Sequence, residues 1–120
     1  MGSYVPPLRD MQFVLHEMLD VESTLKTLPA HADLDADTIN AVIEEAGKFA
    51  ADVIFPLNQS GDQEGCHWND TVVTTPKGYK EAYKQYVEAG WPALSCDPEY
   101  GGQGLPVSLN NVLYVLLNSA

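Results

Sequence analysis

The seventeen residues from Gly90 to Pro106, Gly-Trp-Pro-Ala-Leu-Ser-Cys-Asp-Pro-Glu-Tyr-Gly-Gly-Gln-Gly-Leu-Pro, constrain this chain more than any other stretch. They lie between two helical patterns and hold four of the nine glycines and three of the eight prolines. Gly101, Gly102 and Gly104 permit positive φ or a close backbone approach. The prolines fix φ and remove amide donors. A flexible linker has no need of Trp91 and Tyr100, so the segment reads as a shaped loop packed under its aromatics.

Before that loop the apolar residues recur at helical spacing. Leu8, Met11, Leu15, Met18 and Leu19 predict a helix over about Leu8–Leu19, after an extended lead-in over residues 1–7. Asp20 to Ser23 is expected to break it before a shorter turn that runs to Leu28 and stops at Pro29. Asp35 is a candidate N-cap for the next helix, and Asp37 complements its dipole. The stripe that follows is the strongest in the chain: Ile39, Val42, Ile43, Ala46, Ala50, Val53, Ile54 and Leu57 advance in steps of three and four. Pro56 is expected to end or kink that helix. Residues 58–75 then read as a polar loop ordered by Trp68, ending in the β-like run Thr71–Thr74.

Thr75-Pro76 is expected to open a helix whose apolar face is Tyr79, Ala82, Tyr83, Tyr86 and Val87, with Gly90 at its C-terminal end. Pro106 can start a final helix, in which Leu109, Val112, Leu113, Val115, Leu116 and Leu117 wrap almost all round. A helix apolar on every side asks to be buried on every side. An isolated domain of 120 residues has no obvious way to cover it, so self-association or further protein is expected.

The charge is lopsided. Residues 1–70 carry thirteen acids and three bases, against four acids and three bases over 71–120, within a net charge of −11. An acidic body repels phosphate backbones, which excludes nucleic-acid binding as a function. No run approaches the ~18 apolar residues of a membrane span, and no basic-then-apolar leader opens the chain. Cys66 and Cys96 form no paired motif, which fits reduced thiols and a cytoplasmic location. Two potential metal pairs are each incomplete. Asp33-Leu34-Asp35 lacks the glycine turn and distal Glu of a calcium loop, and Cys66-His67 has no second pair.

The loop and its flanks resemble the N-terminal α-domain of the FAD-dependent acyl-CoA dehydrogenases. Gly90-Trp91-Pro92-Ala93-Leu94, then Pro98-Glu99-Tyr100-Gly101-Gly102-Gln103-Gly104-Leu105 with a helix on either side, carry the likeness. The preceding Thr-Pro-Lys-Gly-Tyr-Lys-Glu-Ala-Tyr matches the family helix that leads into Gly-Trp. Pro7 to Glu17 is similar to the N-terminal extension of a subgroup that includes the 3-methylmercaptopropionyl-CoA dehydrogenases.

The resemblance implies an all-α helical-bundle domain over 8–120, incomplete by the family's standard. It also implies a parent oxidoreductase of the β-oxidation type, which needs a glutamate base, FAD and an acyl-CoA thioester. In the family the base and most flavin contacts lie in later domains. No glutamate here takes the base role; Glu99 sits in the loop at a position that is not the base, so no catalytic residue and no bound cofactor are expected in this chain. The implied contribution is one wall of the acyl channel beside the flavin: Tyr100, Gly101, Gly102 and Leu105 from the loop, and Val112, Val115, Leu116 and Ser119 from the last helix. The chain departs from the family at Leu113–Leu117, where acidic residues are usual. Implied partners are the remaining domains of the same enzyme and a second copy in a homo-oligomer. The alternative is a stand-alone helical module that dimerises or binds a partner without catalysis. Composition and periodicity alone support a small helical binding protein.

Overall fold

In the computed structural model, which describes residues 2–120, 66% of the chain is helical, as an all-α domain requires. Leu8–Gln12 (α1) runs on as a π-helical segment, Phe13–Met18, and ends where Asp20 turns left-handed at φ 44°. The expected break therefore falls where the sequence placed it. Val21–Lys26 forms α2, followed by a single 3-10 turn at Pro29–His31.

The core is built on Ala36–Phe49 (α3). The Thr38 amide donates to Asp35 Oδ1 at 2.8 Å, closing the N-terminus as expected. The Ala36 amide donates to Glu22 Oε2 at 3.1 Å, which ties α2 to the same end. Ile39, Ile43, Ala46 and Ala50 are fully buried, as their spacing predicts. Gly47 explains how the lead-in docks. A β-carbon there would crowd Leu8 and Pro6, so its absence lets residues 6–8 lie against α3. Tyr4 stacks on Phe55 at 6.0 Å between ring centres, and its hydroxyl bonds Ser119 Oγ at 2.6 Å.

Of the two outcomes expected at Pro56, an end or a kink, the helix does not end. Ala50–Ile54 winds as a π-helix, and Phe55–Glu64 (α4) continues from it with Pro56 inside its first turn. Pro56 has no amide hydrogen to give the turn before it, and the helix passes it at the junction of the π and α segments. The polar stretch expected over 58–75 is accordingly helical to Glu64, then a short hairpin. His67–Asn69 (β1) pairs antiparallel with Val72–Thr74 (β2), Trp68 facing Val73. Both strands are exposed, Trp68 included, so this aromatic orders no loop.

The next helix also starts later than Thr75-Pro76 predicts. Tyr79–Glu88 (α5) begins after Gly78, at φ 89°. Pro76 is buried in the turn before it, where a proline serves as a packing group and not as a helix start. Of the predicted apolar face, Ala82 is buried and Tyr86 half-buried, while Tyr79, Tyr83 and Val87 are exposed. Gly90 takes φ 82° just past the helix end, as expected of a terminating glycine. Val107–Ser119 (α6) starts after Pro106 and packs along α3 through Leu109, Leu113 and Leu116.

The whole is a slab, 53 × 36 × 16 Å between Cα extremes. Its radius of gyration is 16.7 Å, against about 14 Å for a compact domain of this length. The accessible surface is 7764 Å², whereas about 6,400 Å² is usual for a folded chain of this size. The excess, about 1,400 Å², is the area one side contributes to an obligate interface.

Candidate functional site

The loop between α5 and α6 is held by its own backbone. The Gln103 amide donates to the Ala93 carbonyl at 2.9 Å, Gly104 to Cys96 at 2.9 Å and Leu105 to Leu94 at 3.0 Å. These bonds fold 103–105 back along 93–96. Asp97 turns the tip: its Oδ1 accepts from the Glu99 amide at 2.9 Å, and its carbonyl accepts from Gly102 at 3.0 Å. Gln103 Nε2 donates to the Gly90 carbonyl at 2.9 Å, joining the tip to the end of α5. Gln103 carries that brace from the variable position of the Gly-Gly-x-Gly run, and nothing in the sequence pattern marked it.

Gly102 is required by contact: a β-carbon there would overlap the Cys96 carbonyl. Gly101 at φ 87° and Gly104 at φ 67° are required by conformation. Trp91 and Leu94 drive the base of the loop into the core, Trp91 lying 6.4 Å from the Phe49 ring centre. The expectation that the loop packs under its aromatics thus holds for Trp91. It fails for Tyr100, which is 83% exposed at the tip. The turn at Pro98–Tyr100 ends in Gly101, and the bonds that close it leave the ring pointing at nothing in the chain.

The expected wall residues do not share one environment. Tyr100 and Gly101 are exposed at the tip, and Gly102 and Leu105 are half-buried behind it. On α6, Val112 is half-buried and Val115 is 55% exposed. Leu116 is fully buried against α3 and belongs to the core of the chain itself. Ser119 has its hydroxyl on Tyr4. The helix expected to be buried all round is buried along one side, because α3 offers a single face. Val107, Tyr114 and Val115 stand in water on the other. Beside them the half-buried Tyr86 of α5 has its hydroxyl pushed up in pKa by burial, with Tyr114 and Tyr83 as neighbours.

The chain offers little to a dinucleotide. Residues 85–120 contain no Lys or Arg, and the loop tip carries Asp97 and Glu99. A pyrophosphate needs positive charge or converging amide donors; here most of the loop amides are spent within the loop itself. These residues do not fit FAD by themselves, beyond an apolar surface on which a ring system could rest. Among the described residues, no three His, Cys, Asp or Glu side chains converge as metal ligands. None of the helices described is long and apolar enough to cross a membrane.

Fold and loop together define a helical domain with an ordered glycine-rich turn and one uncovered apolar side. Its relatives give that class a family. The chain is 36% identical over 98% of its length to a 3-methylmercaptopropionyl-CoA dehydrogenase of Ruegeria pomeroyi, of which this covers 20%. It is 35% identical over 73% of its length to a butyryl-CoA dehydrogenase of Syntrophomonas wolfei, covering 15% of that enzyme. A broad-specificity linear acyl-CoA dehydrogenase of Mycobacterium tuberculosis matches 88% of the chain at 27% identity, over 18% of its own length. No protein-family model matches. The homologues of this chain are acyl-CoA dehydrogenases, and it spans about one fifth of the length of the relatives it matches.

Proposed function

We propose that the chain is the N-terminal part of an FAD-dependent acyl-CoA dehydrogenase, with the loop tip and the outer side of α6 forming one wall of the acyl channel beside the flavin. The observation that carries this reading is the one-sided burial of α6. Its inner side is core, while Val112 is half-buried and Val115 is exposed, which leaves an apolar strip on the outer side. An acyl chain asks for such a strip: apolar, free of charge and held on a rigid element. Tyr100, Gly101 and Gly102 sit at its loop end, and Ser119 is steadied at the far end by Tyr4. Leu116 backs the wall from the core. The flavin, when bound, accepts the hydride in the parent reaction; the base and the groups that hold the cofactor belong to other domains of the parent, which are this chain's partners along with a second subunit. A cytoplasmic location accompanies the reading.

The test is to express the chain alone and with the natural reading frame continued past Ala120, and to record flavin absorbance and dye-linked acyl-CoA oxidation. The 120-residue chain is expected to be colourless and inactive, and the longer polypeptide to carry flavin and oxidise an acyl-CoA. In the longer polypeptide Val115→Asp should raise KM for acyl-CoA more than it lowers kcat. A colourless longer polypeptide, or flavin bound one per chain to the short one, rejects the reading.

The excess surface also favours a second reading, a helical module that buries the same apolar side against a copy of itself. Light scattering separates the two: a chain that stays monomeric at high concentration is no dimerisation module.

A further inference from the structure

The first helical segment carries an apolar face in water. Phe13, Val14, Met18 and Leu19 are all exposed, Met18 and Leu19 by 64% and 58%. The other side of the segment is fixed to the chain: Leu15 is buried, and His16 Nε2 bonds Asn40 Oδ1 of α3 at 2.7 Å. The π winding gathers the four exposed side chains. The Leu19 amide donates to the Val14 carbonyl, five residues back, at 3.0 Å. In an α-helix residues 13, 14, 18 and 19 would spread over about 240° of the surface, with Met18 and Leu19 flanking Leu15. At roughly 4.4 residues per π turn they fall within about 130°, and Met18 and Leu19 swing under Phe13 and Val14. A π segment is uncommon and frequently marks a functional site.

One flank of this face carries a salt bridge. Arg9 Nη2 donates to Glu17 Oε1 at 3.0 Å, eight residues along, and both side chains are exposed. Phe13 lies midway between them in sequence, and Asp10 is exposed at the N-terminal end. A base at one end and an acid at the other match a second copy that runs antiparallel, because a twofold axis at Phe13 then brings unlike ends together. A net charge of −11 opposes contact between copies over most of the surface; here it is offset. The four apolar side chains expose about 400 Å², against the roughly 450 Å² of apolar area that each side brings to a standard interface.

We propose that this face is a docking surface for a second copy of the chain, packed antiparallel about Phe13 so that Arg9 of each protomer meets the partner's Glu17. The proposal is independent of the acyl-channel reading, which uses the loop and α6.

Sedimentation equilibrium of the 120-residue chain measures the pairing, with a dissociation constant expected below about 1 mM. Arg9→Glu and Glu17→Arg should each raise that constant at least about tenfold, since each sets two like-charge pairs across the axis. An equimolar mixture of the two variants should pair again, one to one, because one face is then wholly acidic on its flank and the other wholly basic. Met18→Asp changes an exposed position that the fold tolerates; it should also weaken pairing at least about tenfold. A chain that is monomeric at about 1 mM overturns the proposal and leaves the face to another part of the longer polypeptide. Variants that do not pair when mixed overturn it too. So does a dimer that survives Arg9→Glu and Met18→Asp but is lost on Val115→Asp, which assigns self-association to α6.

Discussion

Leu116 and Val115 are neighbours on α6 with opposite surroundings, and replacing each with alanine separates core from uncovered wall. Leu116 has no exposed surface. Truncation removes about three methylene equivalents, or ~2.4 kcal/mol of transfer free energy at ~0.8 each. The cavity left against α3 raises the cost to about 3–4 kcal/mol. Val115 is 55% exposed. Losing two methyl groups that are less than half buried costs about 0.7 kcal/mol, and the gain in helix propensity from valine to alanine returns roughly 0.6. The net effect is near zero. In urea, with a slope of about 1.5 kcal/mol/M, Leu116→Ala should lower the midpoint by about 2 M and Val115→Ala by less than about 0.3 M. Urea titration of each variant beside the parent chain measures both. Leu116→Met, which keeps the volume, should cost less than about 1.5 kcal/mol and serves if the alanine variant is too unstable to titrate. In the longer polypeptide Val115→Ala should cost at least about 1 kcal/mol, because its methyl groups are then covered. A Val115→Ala cost in the short chain that matches Leu116→Ala would refute the one-sided burial of α6.

Other perturbations test other parts of the fold. Gly102→Ala forces a β-carbon onto the Cys96 carbonyl; a destabilisation of about 1–3 kcal/mol is expected, with faster alkylation of Cys96, and a neutral result would mean that the loop does not close as described. Trp91 is buried and Trp68 is exposed, so Trp91→Phe should leave only red-shifted emission that barely changes on unfolding. A remaining blue component would contradict the burial. Asp35 is held below its ordinary carboxyl pKa of 3.8, chiefly by the Thr38 amide hydrogen bond. Because the folded value is the lower one, the cap stabilises fully above the unfolded value and is lost as pH falls through the folded value. Asp35→Asn keeps a capping oxygen and should lose less melting temperature than the parent between neutral pH and about pH 3; equal acid sensitivity would rule out the cap.

The sequence by itself determined the helical class, the α3 stripe, the Asp35 cap, the break at Asp20 and the shaped loop with its three special glycines. Each is a local matter: side chains three or four apart, a capping oxygen three residues from its amide, or a φ that only glycine accepts cheaply. The family likeness was legible for the same reason, since the Gly-Trp and Pro-Glu-Tyr-Gly-Gly-x-Gly-Leu signals are contiguous. Tertiary structure decided what periodicity cannot see. It ran a helix through Pro56 at the junction of a π and an α segment, delayed α5 until Gly78, and set Tyr100 outward while Trp91 went in. It also chose which side of α6 became core. The pattern around that helix is nearly uniform, so only the position of α3 could distinguish Leu116 from Val115. A stretch apolar on all sides states a demand for burial; the neighbours present determine how much of that demand is met.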